Sequence, residues 1–257
     1  MGNIINERKK VVDICFSINV HEKRDFLIKQ IKNINDHVKL NYIIIINANE
    51  YMYNEISNCQ FIKSKDNVVL NKNWLNKKRY HGSLTNGICL NMEEALKHYT
   101  FKYFIILSSR NLFYNKITKE TIDNEFPFIS KSGWGRKDSI GIKRNKLNIQ
   151  DWHWHSFLKT KLSKYIIDND MLFSSSPHEG LCFNYISCQT IIEFLNNNTA
   201  IKEDLFNWNH CVEEFSLQTI CINLAGSNYY YLGNGCKTHH NIEMLPKNRY
   251  TYKTYRI

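Results

Sequence analysis

Three stretches of the chain stay apolar for about the length of a β-strand. They are VVDICFSINV (residues 11–20), NYIIIINAN (41–49) and KYFIIL (102–107). All three are rich in β-branched residues, as buried strands are. Between the first two lies HEKRDFLIKQIKNI, where Phe26, Leu27, Ile31 and Ile34 recur at helical spacing among lysines and an arginine. That pattern predicts an amphipathic helix. Strand, helix and strand in this order form a βαβ unit, which implies a parallel sheet. Residues 67–70 predict a short strand. Residues 83–98 predict a helix with Leu84, Ile88, Met92, Ala95 and Leu96 on one face and Ser83 as its N-cap. The alternation argues an α/β domain. Ligands of such sheets bind beyond the carboxyl ends of the strands. The polar segments 19–21, 47–49 and 108–111 fall there.

The second half alternates less regularly. Residues 133–141 read as a basic, glycine-bearing loop, and 151–168 as a helix opening on the aromatic cluster DWHWH. SSSPHEG (174–180) reads as a turn, 183–186 as a strand, 187–195 as a helix. EEFSLQTICINL (213–224) predicts a helix with two acids in its first turn. The tail beyond residue 232 is basic and carries no assignable pattern.

Composition narrows the class. No tract reads as a linker and no repeat is present, so a single domain over residues 1–257 is expected. With 43% apolar and 13% aromatic residues the chain is globular. No run reaches membrane-span length, and MGNIINERKK lacks an apolar signal region, so a cytoplasmic protein is expected. None of the eight cysteines makes a CxxC pair, consistent with small buried thiols. The net charge of +10 would attract a polyanion or a nucleotide diphosphate. It is dispersed except for Lys237, Lys247, Arg249, Lys253 and Arg256.

Four segments, in order, resemble the core-2/I-branching N-acetylglucosaminyltransferase and peptide O-xylosyltransferase family. FSINVHEKRDFLIKQIKNIN with YIIIINAN is similar to its opening strand, helix and second strand. HGSLTNGICLNMEEAL is similar to the helix entering the sheet, and YFIILSSRNLFY to its strand before Leu-Ser-Gly-x-Asp-x-Pro. CVEEFSLQTICINL is similar to the segment holding the catalytic acid. HEGLCFNYISCQTIIEFL, between the last two, resembles the strand-turn-helix at donor and acceptor. Asn111 and Phe113 stand where the family has Asp and Pro, and Asn47 where its second strand ends near Asp.

The resemblance implies a GT-A-like fold, a mixed sheet with parallel central strands flanked by helices. It implies an inverting, metal-independent transfer of a GlcNAc- or xylose-like sugar. The donor would be a UDP-linked nucleotide sugar and the acceptor a glycan or glycoprotein hydroxyl, with no cofactor and no nucleic-acid partner. The only Asp-x-Asp triplet is 168–170, at the end of a predicted helix, not after a strand where a hard cation would need it. Glu214 matches the base; the plain reading of Glu213 and Glu214 is acids complementing a helix dipole. Donor contacts fall on Val20, His21, Arg24, Asn47 and Ser83, with Arg249 and Lys253 gripping the diphosphate. Acceptor contacts fall on Ser109, Arg110, Asn111, Trp154, His178 and Glu179. The plain alternatives are loop residues for 21–24, a simple turn for HEG, a solvated tail, and buried packing for the tryptophans. His153 and His155 have no third ligand at zinc spacing. A non-catalytic polyanion or nucleic-acid-binding protein is the alternative function.

Overall fold

A computed structural model describes residues 8–20, 23–78, 80–125, 156–174, 178–225, 230–231, 234–235 and 251–253. Strand β1 (Lys10–Val20) leads into helix α1 (Arg24–His37), β2 (Tyr42–Ala48), α2 (Glu50–Ser57), α3 (Gln60–Lys63) and β3 (Val68–Leu70). Helix α4 (Ser83–His98) runs into β4 (Tyr99–Ser108), then β5 (Asn111–Phe113) and a π-helical turn, Thr121–Glu125. There follow α5 (Lys161–Asp168), β6 (Leu181–Phe183), α6 (Tyr185–Asn197) and α7 (Thr199–Asn207). A 3₁₀ turn (Val212–Glu214), α8 (Ser216–Leu224), β7 (Tyr230–Tyr231), β8 (Asn234–Gly235) and β9 (Thr251–Lys253) complete the order.

Among the described residues the main sheet runs β3-β2-β1-β4-β6-β7, and a small sheet runs β5-β9-β8. The β2–β3, β1–β2 and β1–β4 pairs are parallel, whereas β6 joins β4 antiparallel and β7 joins β6 antiparallel. The fold is therefore α/β with parallel central strands, as the alternation predicts, and the sheet is mixed and flanked by helices, as the resemblance implies. No helix among the described residues is long and apolar enough to cross a membrane.

Strand alternation divides the core in two. Ile14, Phe16, Ile18, Ile44, Ile46, Ile105 and Leu107 pack with Leu27, Ile31 and Ile34 of α1 and Met52 and Ile56 of α2. Cys15, Ile43, Ile45, Phe104 and Ile106 face the other way, with Ile88 and Met92 of α4 and the helices of the second half. The central strands are covered on both sides, which is why they read as unbroken apolar runs.

On the α4 side the apolar face turns polar toward the carboxyl ends, at Ser17, Asn19 and Asn47, all buried. Asn91 of α4 answers part of this polarity. Its Nδ2 donates to Ser17 Oγ (3.0 Å) and the Ile45 carbonyl (3.1 Å), and its Oδ1 accepts from Asn71 (3.2 Å). The amide thus bolts α4 across β1 and β2.

Several local boundaries differ from the sequence reading. Ser83 is the first helical residue of α4 with Gly82 at the cap, and its hydroxyl accepts from Lys78 N (3.0 Å). The predicted strand over 183–186 stops at Phe183, because Asn184 caps α6 by accepting from Ser187 N (2.7 Å). The predicted helix over 213–224 is broken at Phe215 (φ −142°, ψ −28°) into a 3₁₀ turn and α8. Helix α2 escaped notice because only Met52 and Ile56 of its eight residues are buried; the Asn49 side chain caps it by accepting from Met52 N (2.8 Å). Residues 133–141 and 151–155 lie outside the described residues.

Candidate active site

The carboxyl ends of β1 and β4 open on a cavity of about 390 Å³. Asn19 of β1, Ser108 at the end of β4, Leu84 and Ile88 of α4, and Ser109 and Arg110 of the β4–β5 turn line it. His178, Glu179, Glu213 and Glu214 close the far side. Size and mixed lining are those of a small-ligand pocket, which typically measures ~300–1,000 Å³.

Each acidic group is placed by a specific local device. Gly180 has φ 90°, a conformation that favours glycine, and donates its amide to the Ile106 carbonyl (2.7 Å). The HEG turn is thereby pinned to β4 before the chain enters β6. Phe215 is fully buried, edge-on to Phe157 (5.7 Å between centroids), and anchors the 3₁₀ turn carrying Glu213 and Glu214. Thr219 is bonded in both directions to Ser174: its hydroxyl donates to the Ser174 carbonyl (2.9 Å) and accepts from the Ser174 amide (3.1 Å). That pair ties α8 to the segment approaching His178. Gly82 seats α4: its amide donates to the Trp208 carbonyl (2.7 Å), and a Cβ there would lie 1.7 Å from the Leu205 carbonyl oxygen.

The result is one imidazole among three carboxylates. His178 Nδ1 lies 3.6 Å from Glu214 Oε1, 3.7 Å from Glu179 Oε2 and 3.9 Å from Glu213 Oε1. The side chains of Glu213 and Glu179 are 2% and 5% exposed, and those of His178 and Glu214 18% each. Burial alone would lower the His178 pKa, but Glu179 and the two acids of the 3₁₀ turn outweigh it and raise it to about 9. Burial raises Glu213 to about 7 against the opposing pull of His178. The two acids of the 3₁₀ turn differ in burial, the Glu213 side chain being 2% exposed and that of Glu214 18%. The ligand atoms of His178, Glu179 and Glu214 lie within 4.8 Å of one another, so small rotations would bring them around one divalent ion. The sequence reading expected no metal site.

No protein-family model matches the chain, and no curated protein matches it. Among solved structures it is similar to the apo structure of WbbM, a bifunctional glycosyltransferase. The identity is 12% and the TM-score 0.33, over 78% of this chain. The chain spans 38% of that chain's length.

Of the residues singled out from sequence, Ser109, Arg110, His178, Glu179, Glu213 and Glu214 meet at the cavity. Asn111 does not line it. Its Oδ1 accepts from the Ser108 amide (2.7 Å) and hydroxyl (2.8 Å), and its carbonyl accepts from Gln30 (2.8 Å). Asn47 is buried and donates to the Asn73 carbonyl (2.8 Å). Val20 is buried at the end of β1, and Ser83 is occupied with Lys78 N. Arg24 lines a separate surface cavity with Lys23, Asn49 and Tyr51, and pairs with Asp25 (3.5 Å) and Glu55 (3.8 Å). Lys253 belongs to β9, opposite Asn111. His21, Trp154 and Arg249 lie outside the described residues.

The sequence reading missed Tyr80, Cys211 and Lys77. Tyr80 lines the cavity with φ 53°, a conformation rare outside glycine that no sequence pattern announces. Cys211 gave no signal beyond lying next to the acids. The Lys77 amine donates to the carbonyls of Asn47 and Leu75 (3.2 Å each), and burial lowers its pKa to about 7.

Proposed function

We propose that the protein is an inverting glycosyltransferase. It would move a GlcNAc- or xylose-like sugar from a UDP-linked donor to a hydroxyl of a glycan or glycoprotein, without a metal. The observation that carries this reading is Glu214, a partly exposed carboxylate bordering a small-ligand cavity at the sheet's carboxyl edge. A hydroxyl is a weak nucleophile until its proton leaves, and a carboxylate within hydrogen-bond reach removes that proton as the oxygen attacks. In the single displacement the acceptor oxygen bonds the anomeric carbon from one face. The bond to the diphosphate breaks on the other, and the nucleotide departs with the electron pair. The acceptor proton ends on Glu214. Ser109, Arg110 and Glu179 of the lining offer groups to the sugar hydroxyls, and His178 flanks the base.

The test is Glu214→Gln, which preserves shape and removes the base. A donor-hydrolysis screen over UDP-, GDP- and TDP-sugars first identifies the donor. Turnover is then expected to fall by a factor of about 10² to 10⁴ while UDP binding survives. Near-normal turnover in Glu214→Gln with collapse in Glu213→Gln moves the role to Glu213; near-normal turnover in both ends the proposal.

A further inference from the structure

His178 Nδ1 faces Glu214 Oε1 at 3.6 Å, Glu179 Oε2 at 3.7 Å and Glu213 Oε1 at 3.9 Å. Each gap is too long for a hydrogen bond, and Nδ1 makes none among the described residues. The gaps are close to those between ligands of a single ion. Zinc binds imidazole nitrogen at about 2.0–2.1 Å and carboxylate oxygen at about 2.0–2.2 Å, so its tetrahedral ligands stand roughly 3.3–3.5 Å apart. The ligand atoms of His178, Glu179 and Glu214 lie within 4.8 Å of one another. Glu213 supplies a separate observation. Its side chain is 2% exposed and lines the same cavity, and its Oε2 is buried with no hydrogen bond among the described residues. A buried carboxylate oxygen without a partner is costly, and a cation at the cluster, or a water bound to that cation, answers it. The groups come from two segments fixed from outside the cluster. Gly180 holds the HEG turn against β4, and Phe215 anchors the 3₁₀ turn. An entering ion therefore meets ligands already gathered.

We propose that His178, Glu179 and Glu214 form a binding site for a divalent transition ion of the Zn²⁺ type, with Glu213 completing the set, and that the bound ion switches the site off. An imidazole nitrogen in the set selects Zn²⁺ over Mg²⁺ and Ca²⁺, which prefer oxygen alone. Loading releases any proton that the ligands carry. The inhibition rests on the reading of Glu214 as the base: a carboxylate oxygen bonded to the ion cannot take the acceptor's proton. The transfer itself stays metal-free, and the ion acts as a brake on it.

Calorimetric titration of chelator-treated protein with Zn²⁺ tests the site. One ion per chain is expected. His178→Gln and Glu179→Gln, with circular dichroism unchanged, are each expected to weaken binding by more than the ~10–100-fold that loss of an outer-shell partner typically costs. Cys211 also lines the cavity, so Co²⁺ serves as a second probe, read on the wild type and independent of any variant's folding. Visible Co²⁺ bands of a nitrogen and oxygen set are expected. An intense near-ultraviolet thiolate-to-cobalt band, binding undiminished in both variants, or no binding overturns the site. In the transfer assay Zn²⁺ is expected to inhibit the wild type and EDTA to restore the rate, while the residual activity of Glu179→Gln resists the ion. Bound Zn²⁺ that leaves transfer undiminished, or stimulates it, overturns the brake. Absence of transfer by the metal-free wild type defeats the reading of Glu214 as base, and the brake with it, while calorimetry separately decides whether the cluster holds the ion.

Discussion

Glu213→Gln is expected to make the protein more stable at pH 8. Glu213 is 1% exposed, one of its carboxylate oxygens makes no hydrogen bond among the described residues, and burial raises its pKa from 4.5 to about 7. Below pH 4.5 the carboxyl is protonated in both folded and unfolded chains, and the fold loses nothing. Between 4.5 and about 7 the folded protein keeps a proton that the unfolded chain has released, so stability declines as pH rises. Above about pH 7 the loss is complete, at about 3 kcal/mol by the conversion of 1.36 kcal/mol per pH unit. Glutamine removes the charge and its burial cost. It also removes one of the three anions that hold His178 protonated, and the stability from that group's raised pKa is present below 6.5 and lost as pH rises through about 9. About 3 kcal/mol is therefore a ceiling. Urea unfolding of wild type and variant at pH 5 and pH 8 reads the effect. The advantage of the variant should grow by up to ~2 kcal/mol between the two pH values. An advantage that does not change with pH, or a variant less stable at pH 8, refutes the argument that a buried ionising carboxyl strains this site.

Two further outcomes follow from structure and sequence. Gly82→Ala puts a methyl carbon 1.7 Å from a backbone oxygen of α7. Overpacking ordinarily costs about 1–3 kcal/mol, and a backbone atom cannot rotate away, so the upper end of that range is expected in urea unfolding. Because the first turn of α4 walls the cavity, donor turnover should fall as well; an unchanged midpoint would show that α4 and α7 part easily. Sugar transfer is expected to persist in EDTA, and its complete loss in chelator, restored by Mn²⁺ or Mg²⁺, would refute a metal-free mechanism.

The sheet was largely legible because its central strands are buried on both faces. Their apolar runs at 11–20, 41–49 and 102–107 leave little room for another reading, and α1 and α4 show one-sided apolar faces. The cavity was legible in its acids and not in its walls. The order of HEG before the EE pair suggested two regions of one site, but nothing in the sequence says that Gly180 and Phe215 bring them within 4 Å. Each meets its partner through tertiary contacts distant in sequence: Gly180 at the Ile106 carbonyl, Phe215 against Phe157. Asn111 and Asn47 stand at strand ends as ligand-binding polar residues do, and each spends one side of its amide on a neighbouring loop: Asn111 Oδ1 accepts from the Ser108 amide and Asn47 Nδ2 donates to the Asn73 carbonyl. Asn111 Nδ2 and Asn47 Oδ1 are buried and make no hydrogen bond among the described residues. The 3₁₀ turn was read as helix because Phe215, Leu217, Ile220 and Leu224 are apolar at spacings that a continuous helix from residue 213 satisfies.

The strand order also fixes a timetable for synthesis. Strand β1 pairs on one side with β2, which leaves the ribosome soon after it, but Lys10 must wait for Tyr99 to pair on the other. At translation rates of ~5–20 residues per second, that apolar edge stands open for roughly 5–20 s. The edge of β4 waits in turn for Cys182 and Phe183, some eighty residues further on. A nascent chain with two unpaired apolar edges is a substrate for chaperones and a hazard at high expression. Slower growth temperature or chaperone co-expression is therefore the practical route to soluble material, and truncation ahead of β6 is expected to leave an aggregating fragment.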